Sequence, residues 1–120
     1  MRRLVQALLA LVSAVIPLYQ TERYVAEAIE SVLAQSFPDF ELIVVDDGSR
    51  DLGPQIARSY ASKDKRVRVV GQENRGLAGA RNTGIRNAKG EFIALLDADD
   101  RWMPDKLDRH LSLMAGDPAI

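Results

Sequence analysis

The segment LLDADDRW, residues 95–102, places three carboxylates, Asp97, Asp99 and Asp100, directly after the apolar run 92–96. A second acidic pair, Asp46 and Asp47, ends another apolar run in ELIVVDDGS, residues 41–49. Clustered negative charge repels itself and is costly to bury, so acids at the ends of two apolar strands need solvent, a cation or a ligand. Two chemistries justify the pattern. A hard divalent cation, Mg2+ or Mn2+, takes oxygen ligands, often one or two carboxylates completed by water and phosphate oxygens. An ionised Asp also accepts hydrogen bonds from a base N–H or a sugar hydroxyl. Plain turn and capping chemistry is the competing explanation for any one Asp. Two acidic strand ends on the same predicted edge of one sheet favour a functional site.

The elements that must hold these acids follow from periodicity. An apolar strand is expected over 11–19, with Pro17 near its end. A helix over 21–36 carries Tyr24, Val25, Ala28, Ile29, Val32 and Leu33 on one stripe, with Thr21 as its expected N-cap. A β-branched strand over 41–46 leads into the turn 47–49 and a helix opening at Pro54, with Ile56, Ala57, Tyr60 and Ala61 inward. A strand over 67–71 and a helix over 77–88 follow, with Gly90 as a left-handed cap. A strand over 91–96 precedes a last helix, which opens at Pro104 and turns Leu107, Leu111 and Met114 to the core. Such alternation predicts an α/β fold, a mostly parallel Rossmann-like sheet with helices on both faces and right-handed crossovers. Ligands of open α/β sheets bind outside the carboxyl ends of the strands, so both acid clusters can line one crevice.

Bulk properties narrow the function classes. A length of 120 residues suits one domain, and a net charge of -1 leaves no electrostatic footprint for nucleic acid. The basic residues are spread along the chain, so no polybasic membrane patch stands out. The absence of cysteine rules out disulfides and thiolate chemistry and is compatible with a reducing compartment. Residues 1–19 join two arginines to an apolar stretch, as secretory signals do, but a buried first strand from residue 11 is the preferred reading. Residues 1–10 are then a lead-in and 11–120 a single domain. His110, the one histidine, is expected to be a surface or packing residue.

As a set, VSAVIPLYQTERYVAEAIESVLAQSFPDFELIVVDDGSRD and VRVVGQENRGLAGARNTGIRNAKGEFIALLDADDRWMPDKL closely resemble the N-terminal, donor-binding half of inverting family 2 glycosyltransferases of GT-A fold. The resemblance runs from about residue 11 to the end of the chain. It rests on four motifs in order: Pro-x-Tyr after the first strand, Val-Val-Asp-Asp-Gly-Ser, Asn-x-Gly-x-x-x-Ala-Arg-Asn-x-Gly, and Leu-Asp-Ala-Asp-Asp.

The resemblance implies that Pro17 and Tyr19 meet the nucleotide base, with stacking on uracil and plain strand-end packing both open for Tyr19. Asp47 matches the acid on the uracil ring and Asp46 the support of the turn, while Gly48 and Ser49 turn tightly beside the ligand. Arg81 matches a position near the base and phosphates, and a surface salt bridge is its alternative role. Asn74 and Gly76 would shape the preceding loop, and Asn82 orient it. Asp97 is implied at the ribose, Ala98 between, and Asp99 on the metal, Mn2+ or Mg2+. Asp100 would assist or cap the turn. Trp102 and Met103 stand beside the donor site, with core packing expected of them. Gln20 departs from the family's usual Asn.

The implied donor is a nucleoside-diphospho-sugar, favouring a UDP-sugar, and the acceptor an unspecified glycan, lipid or protein, as in polysaccharide or cell-wall synthesis. The catalytic base of the family, an Asp or Glu, is expected beyond Ile120, so no residue is assigned to it. Family habit implies a cytoplasmic location, peripheral at the inner face of the membrane, with homo-oligomer formation open. Two alternatives remain: a truncated or non-catalytic nucleotide-binding domain of the same fold, and, more remotely, a haloacid-dehalogenase-like phosphatase using the first Asp of Asp-x-Asp as nucleophile.

Overall fold

Strand and helix alternate through the computed structural model, which describes residues 11–116, with side chains as far as Leu113. The order is β1 (Val12–Leu18), α1 (Val25–Leu33), β2 (Phe40–Asp46), α2 (Gly53–Lys63), β3 (Val67–Gly71), α3 (Gly76–Asn87), β4 (Phe92–Leu95) and α4 (Lys106–Gly116). The four strands form one parallel sheet in the order β3-β2-β1-β4. Strand order therefore reverses at β1, with β2 and β3 on one side of it and β4 on the other. That reversal is a topological switch point, where loops leave the sheet in opposite directions and open a crevice.

A period of two sorts the strand residues between two cores. Val12, Ala14, Ile16 and Leu18 of β1, with Leu42 and Val44 of β2, pack with Val25, Ile29 and Val32 of α1, Ala57 of α2 and Leu107 of α4. Val15, Ile43 and Val45 point the other way, against Ala80 of α3. All seven residues of β1 are buried, which its near-continuous apolar sequence anticipates. Helix α3 lies close because its buried face is small: Ala80, Thr83 and Gly84. Coverage on both faces does not extend to β4. Ile93 and Leu95 are each 43% exposed, so this short edge strand is packed on one face only.

Several expected boundaries move. Helix α1 begins at Val25, after Tyr24, and no side chain caps it. Thr21 contributes its carbonyl, which accepts from the amides of Tyr24 and Val25 at 3.0 Å, while its hydroxyl caps nothing. Helix α4 begins at Lys106, two residues after Pro104. Leu107 and Leu111 reach the core as expected, whereas the side chain of Met114 and residues 1–10 lie outside the described residues.

Gly90 is not left-handed; the positive-φ glycines are Gly48 and Gly76. A Cβ at Gly90 would fall 2.8 Å from both the amide nitrogen and Oγ of Ser13, so close approach to β1 is what requires glycine. This contact belongs to a polar cluster at the amino ends of the strands. Ser13 Oγ donates to Glu41 Oε2 at 2.6 Å and accepts from the Gly90 amide at 2.8 Å. The Lys89 amide donates to Glu41 Oε2 at 2.7 Å, and Arg68 Nη2 to Glu41 Oε1 at 2.9 Å. Burial pushes the Glu41 carboxyl up, but these hydrogen bonds and the Arg68 charge outweigh it and hold Glu41 below its ordinary 4.5. A depressed carboxylate stabilises the fold above its unfolded-state value, and that contribution fades as pH falls through the lowered folded-state value. In urea unfolding, Glu41→Gln is expected to be less stable than wild type at neutral pH, with the two converging below pH 4.5. A stability gap independent of pH would contradict this.

Candidate functional site

The carboxyl ends of β1, β2 and β3 lie level, with Leu18 paired to Asp46 and Asp46 to Gly71, whereas β4 ends earlier, with Leu95 opposite Val15. Their loops enclose a pocket of about 440 Å3, lined by Pro17, Tyr19, Asp47, Asp97, Ala98 and Asp99. Six of the seven residues expected at the site thus converge. The seventh, Arg81, does not line the pocket but pairs with a residue that does, with Nη2 3.0 Å from Asp97 Oδ1. Its salt-bridge role is the one observed, and its Nε is buried without a partner among the described residues. Asn74 and Gly76 line the same pocket, as do Thr21 and Leu77, which sequence reasoning did not assign to it. Thr21 Oγ1 is buried and has no hydrogen-bond partner among the described residues.

Asp46 and Asp47 divide their work as their positions in the turn dictate. Asp46 Oδ1 accepts from the Ser49 amide at 2.9 Å, closing the turn. Asp47 is only 2% exposed and reaches across to the loop before α3. Its Oδ1 accepts from Gln72 Nε2 and the Arg75 amide, both at 2.8 Å, and its Oδ2 from the Gly76 amide at 3.0 Å. Asp47 therefore caps α3 from a distant strand end, and Oδ2 keeps capacity for another donor. Gln72 Oε1 in turn accepts from Thr83 Oγ1 at 2.5 Å, tying the loop to the buried face of α3. Gly48, at φ 79°, would place a Cβ 2.9 Å from the Asn74 amide, so its close neighbour is this loop. Asn82, expected to orient the loop, is exposed and makes no side-chain hydrogen bond among the described residues.

Tyr19 is 48% exposed at the pocket rim, and the residue after it explains how it is held. Gln20 has φ 55°, a left-handed conformation that Asn tolerates better. Its amide donates to Ser49 Oγ at 2.9 Å, and its Oε1 accepts from the Arg50 amide at 2.7 Å. The longer side chain thus joins the loop after β1 to the loop after β2. Asp51 reinforces the junction, accepting from Ser49 Oγ and from the amides of Glu22 and Gly53. Burial raises its carboxyl and these three donors together lower it below the ordinary 3.8.

The acidic turn after β4 is anchored from below. Trp102 is 6% exposed, and its amide donates to Ser31 Oγ at 3.0 Å. Gln35, 7% exposed, donates through Nε2 to the Met103 carbonyl at 2.7 Å and accepts at Oε1 from the Leu107 amide at 3.0 Å. Met103 itself is 70% exposed and does not pack in the core as expected. The Asp100 carboxylate accepts from the Arg101 amide, a turn-capping role, while Asp99 is exposed to the pocket. No three acidic or histidine side chains converge as a metal cluster among the described residues. A cation here would take Asp97 or Asp99 and complete its shell with ligand oxygens and water.

The model described as "Glycosyl transferase family 2" matches residues 13–120. The chain belongs to glycosyl transferase family 2. The phosphatase alternative falls with that assignment. Among curated relatives, glycosyltransferase GlyG of Streptococcus pneumoniae serotype 4 is 46% identical over 91 residues, covering 75% of this family 2 chain and 30% of GlyG. S. aureus TarS in complex with UDP-GlcNAc superposes with a TM-score of 0.80 at 32% identity, over 88% of this chain and 31% of TarS. The mannosyltransferase PcManGT of Pyrobaculum calidifontis, in complex with GDP-Man and Mn2+, gives 0.81 at 30% identity, over 93% and 34%. The fold is that of the GT-A glycosyltransferases, and this family 2 chain spans about a third of each of these proteins.

Proposed function

We propose that the pocket at the switch point binds the nucleoside-diphospho-sugar donor of an inverting glycosyltransferase, a UDP-sugar by preference. One observation carries the reading. A single pocket gathers an exposed aromatic, a buried carboxylate with a free lone pair, and two exposed carboxylates across the switch point. Tyr19 offers a face to the base beside Pro17, and Asp47 Oδ2 offers an acceptor to a base N–H. Asp97, oriented by Arg81, accepts from the ribose hydroxyls. Asp99 holds Mg2+ or Mn2+, which when bound offsets charge on the diphosphate leaving group. TarS with UDP-GlcNAc and PcManGT with GDP-Man and Mn2+ support a nucleotide-sugar and a metal as the ligand class.

In the proposed reaction an acceptor hydroxyl attacks the anomeric carbon opposite the departing diphosphate, with inversion. No residue of this domain is assigned to the base that takes its proton, and its acids serve the leaving-group side. No helix among the described residues is long and apolar enough to cross a membrane. Work at the cytoplasmic face of a membrane remains part of the proposal. Because the chain spans about a third of its relatives, binding of donor without transfer is the second reading.

Titration with UDP, with and without Mn2+, tests the site. Asp99→Ala is expected to weaken Mn2+-dependent UDP binding at least about tenfold, ~1.4 kcal/mol. A folded chain that binds no UDP would overturn the donor reading. Release of UDP from a UDP-sugar then separates transferase from binder.

A further inference from the structure

Gln72, one residue past β3, is half-buried and links the buried face of α3 to Asp47. Its amide donates to the Asp46 carbonyl at 2.9 Å, which fixes its backbone to the end of β2. Its Oε1 accepts from Thr83 Oγ1 at 2.5 Å, and its Nε2 donates to Asp47 Oδ1 at 2.8 Å. We propose that Gln72 is a positioning residue for the nucleobase, its carboxamide turning the Asp47 carboxylate so that Oδ2 meets a ring N–H. Gln72 does not itself line the pocket and acts through Asp47. The assignment rests on the donor reading above.

The orientation of the carboxamide is determined at both ends. Thr83 is 7% exposed on α3, and its one hydroxyl proton has two acceptors within reach. Gln72 Oε1 lies at 2.5 Å and the Gly79 carbonyl at 3.1 Å, so Gln72 is the closer. Arg86 Nη2 donates to the same hydroxyl at 3.3 Å, which leaves the hydroxyl to act as donor toward Gln72. At the other end a carboxylate only accepts, so the group that faces Asp47 is the NH2. Reversed, the amide would set oxygen against oxygen at 2.8 Å.

The consequence falls on the acceptor position that the loop leaves open. Asp47 Oδ1 is filled by Gln72 Nε2 and the Arg75 amide, while Oδ2 takes the Gly76 amide alone. The terminal torsion of an aspartate is broad, so its oxygens point where their donors hold them. Two of those donors are consecutive amides of one loop; Gln72 is the one side chain that donates to this carboxylate among the described residues. Glutamine also donates without adding a charge, which leaves the full charge of Asp47 to strengthen a bond from the base.

UDP and pyrophosphate, each titrated calorimetrically into the 120-residue chain with Mn2+, separate base from phosphate. Gln72→Leu, which has no donor, should weaken UDP binding about three- to tenfold and leave pyrophosphate binding unchanged. Thr83→Val should act in the same direction to a smaller degree. Gln72→Glu is nearly isosteric and gives a pH readout. Two carboxyl groups in contact share a proton at low pH and repel once it leaves. Near about pH 5 the introduced carboxyl donates to Asp47 Oδ1 as the amide did, and UDP binding should stay within about twofold of wild type. Near about pH 7.5 that proton is gone, and binding should fall about tenfold below wild type. Tyr19, Asp97 and Asp99 also line the pocket and Asp46 adjoins Asp47, so wild type and Gln72→Leu are measured at both pH values as references. A Gln72→Glu deficit that is the same at both pH values, or equal losses of UDP and pyrophosphate in the folded variants, would overturn the positioning role. Wild-type UDP binding that the Gln72 variants leave undiminished sinks this inference alone. A folded wild-type chain that binds no UDP sinks the donor reading, and the role of Gln72 with it.

Discussion

Asp47→Ala is expected to lower stability by about 2–3 kcal/mol and to weaken UDP binding more than pyrophosphate binding. The side chain is 2% exposed, and its two oxygens hold Gln72 Nε2 and the amides of Arg75 and Gly76. Truncation removes all three acceptor contacts and uncaps α3. Because Arg75 and Gly76 are exposed, water reaches the freed amides, which keeps the cost below the sum of three buried, orphaned donors. Urea unfolding gives the stability change, and hydrogen exchange at Arg75 and Gly76 should accelerate. Asp47→Asn, which retains one acceptor oxygen, should fall between wild type and alanine. Equal losses for UDP and pyrophosphate would mean that Asp47 acts only through the loop and does not read the base.

The second large effect is expected at Gly84, far from any ligand. A Cβ there would lie 2.2 Å from Val15 Cγ1, 3.1 Å from Cγ2 and 3.2 Å from Cβ of the same residue. Val15 is fully buried in the central strand, so neither partner can turn aside cheaply. Gly84→Ala should therefore cost about 1–3 kcal/mol, in spite of alanine's better helix propensity. Val15→Ala made in the same chain should recover much of that cost, since it removes the atoms that clash. Strict additivity of the two substitutions in thermal or urea unfolding would refute this account. The same approach positions the site, because α3 carries Arg81 to Asp97 and presents Gly76 and Leu77 to the pocket at the switch point.

Much of this arrangement was legible along the chain. Apolar runs, β-branched residues and helical stripes are local, and they located four strands and four helices to within a few residues. Parallel topology follows from strand–helix alternation, and it brings Asp46, Asp47, Asp97 and Asp99 to one edge. What remained hidden were the polar residues whose partners are distant in sequence. Gln35 anchors the Leu107 amide 72 residues away, and Gln72 reaches Asp47 at a separation of 25. Hydropathy reads Gln35 and Gln72 as solvent-facing and says nothing of a partner. Gly90 was misread for the same reason: a glycine after a helix suggests a cap, whereas its neighbour is Ser13, 77 residues earlier.

By itself the sequence determined the fold class, the family and the set of acids at the strand ends, because each depends on short-range pattern or on motifs in fixed order. Only the tertiary structure decided how those acids are used. Burial and three donors commit Asp47 to the loop before α3, a salt bridge ties Arg81 to Asp97, and exposure leaves Asp99 open to a ligand. It also decided that Gln72 stands between Thr83 and Asp47. Charge is written in the sequence one residue at a time, but its field depends on which charges the fold brings together and which it has already neutralised.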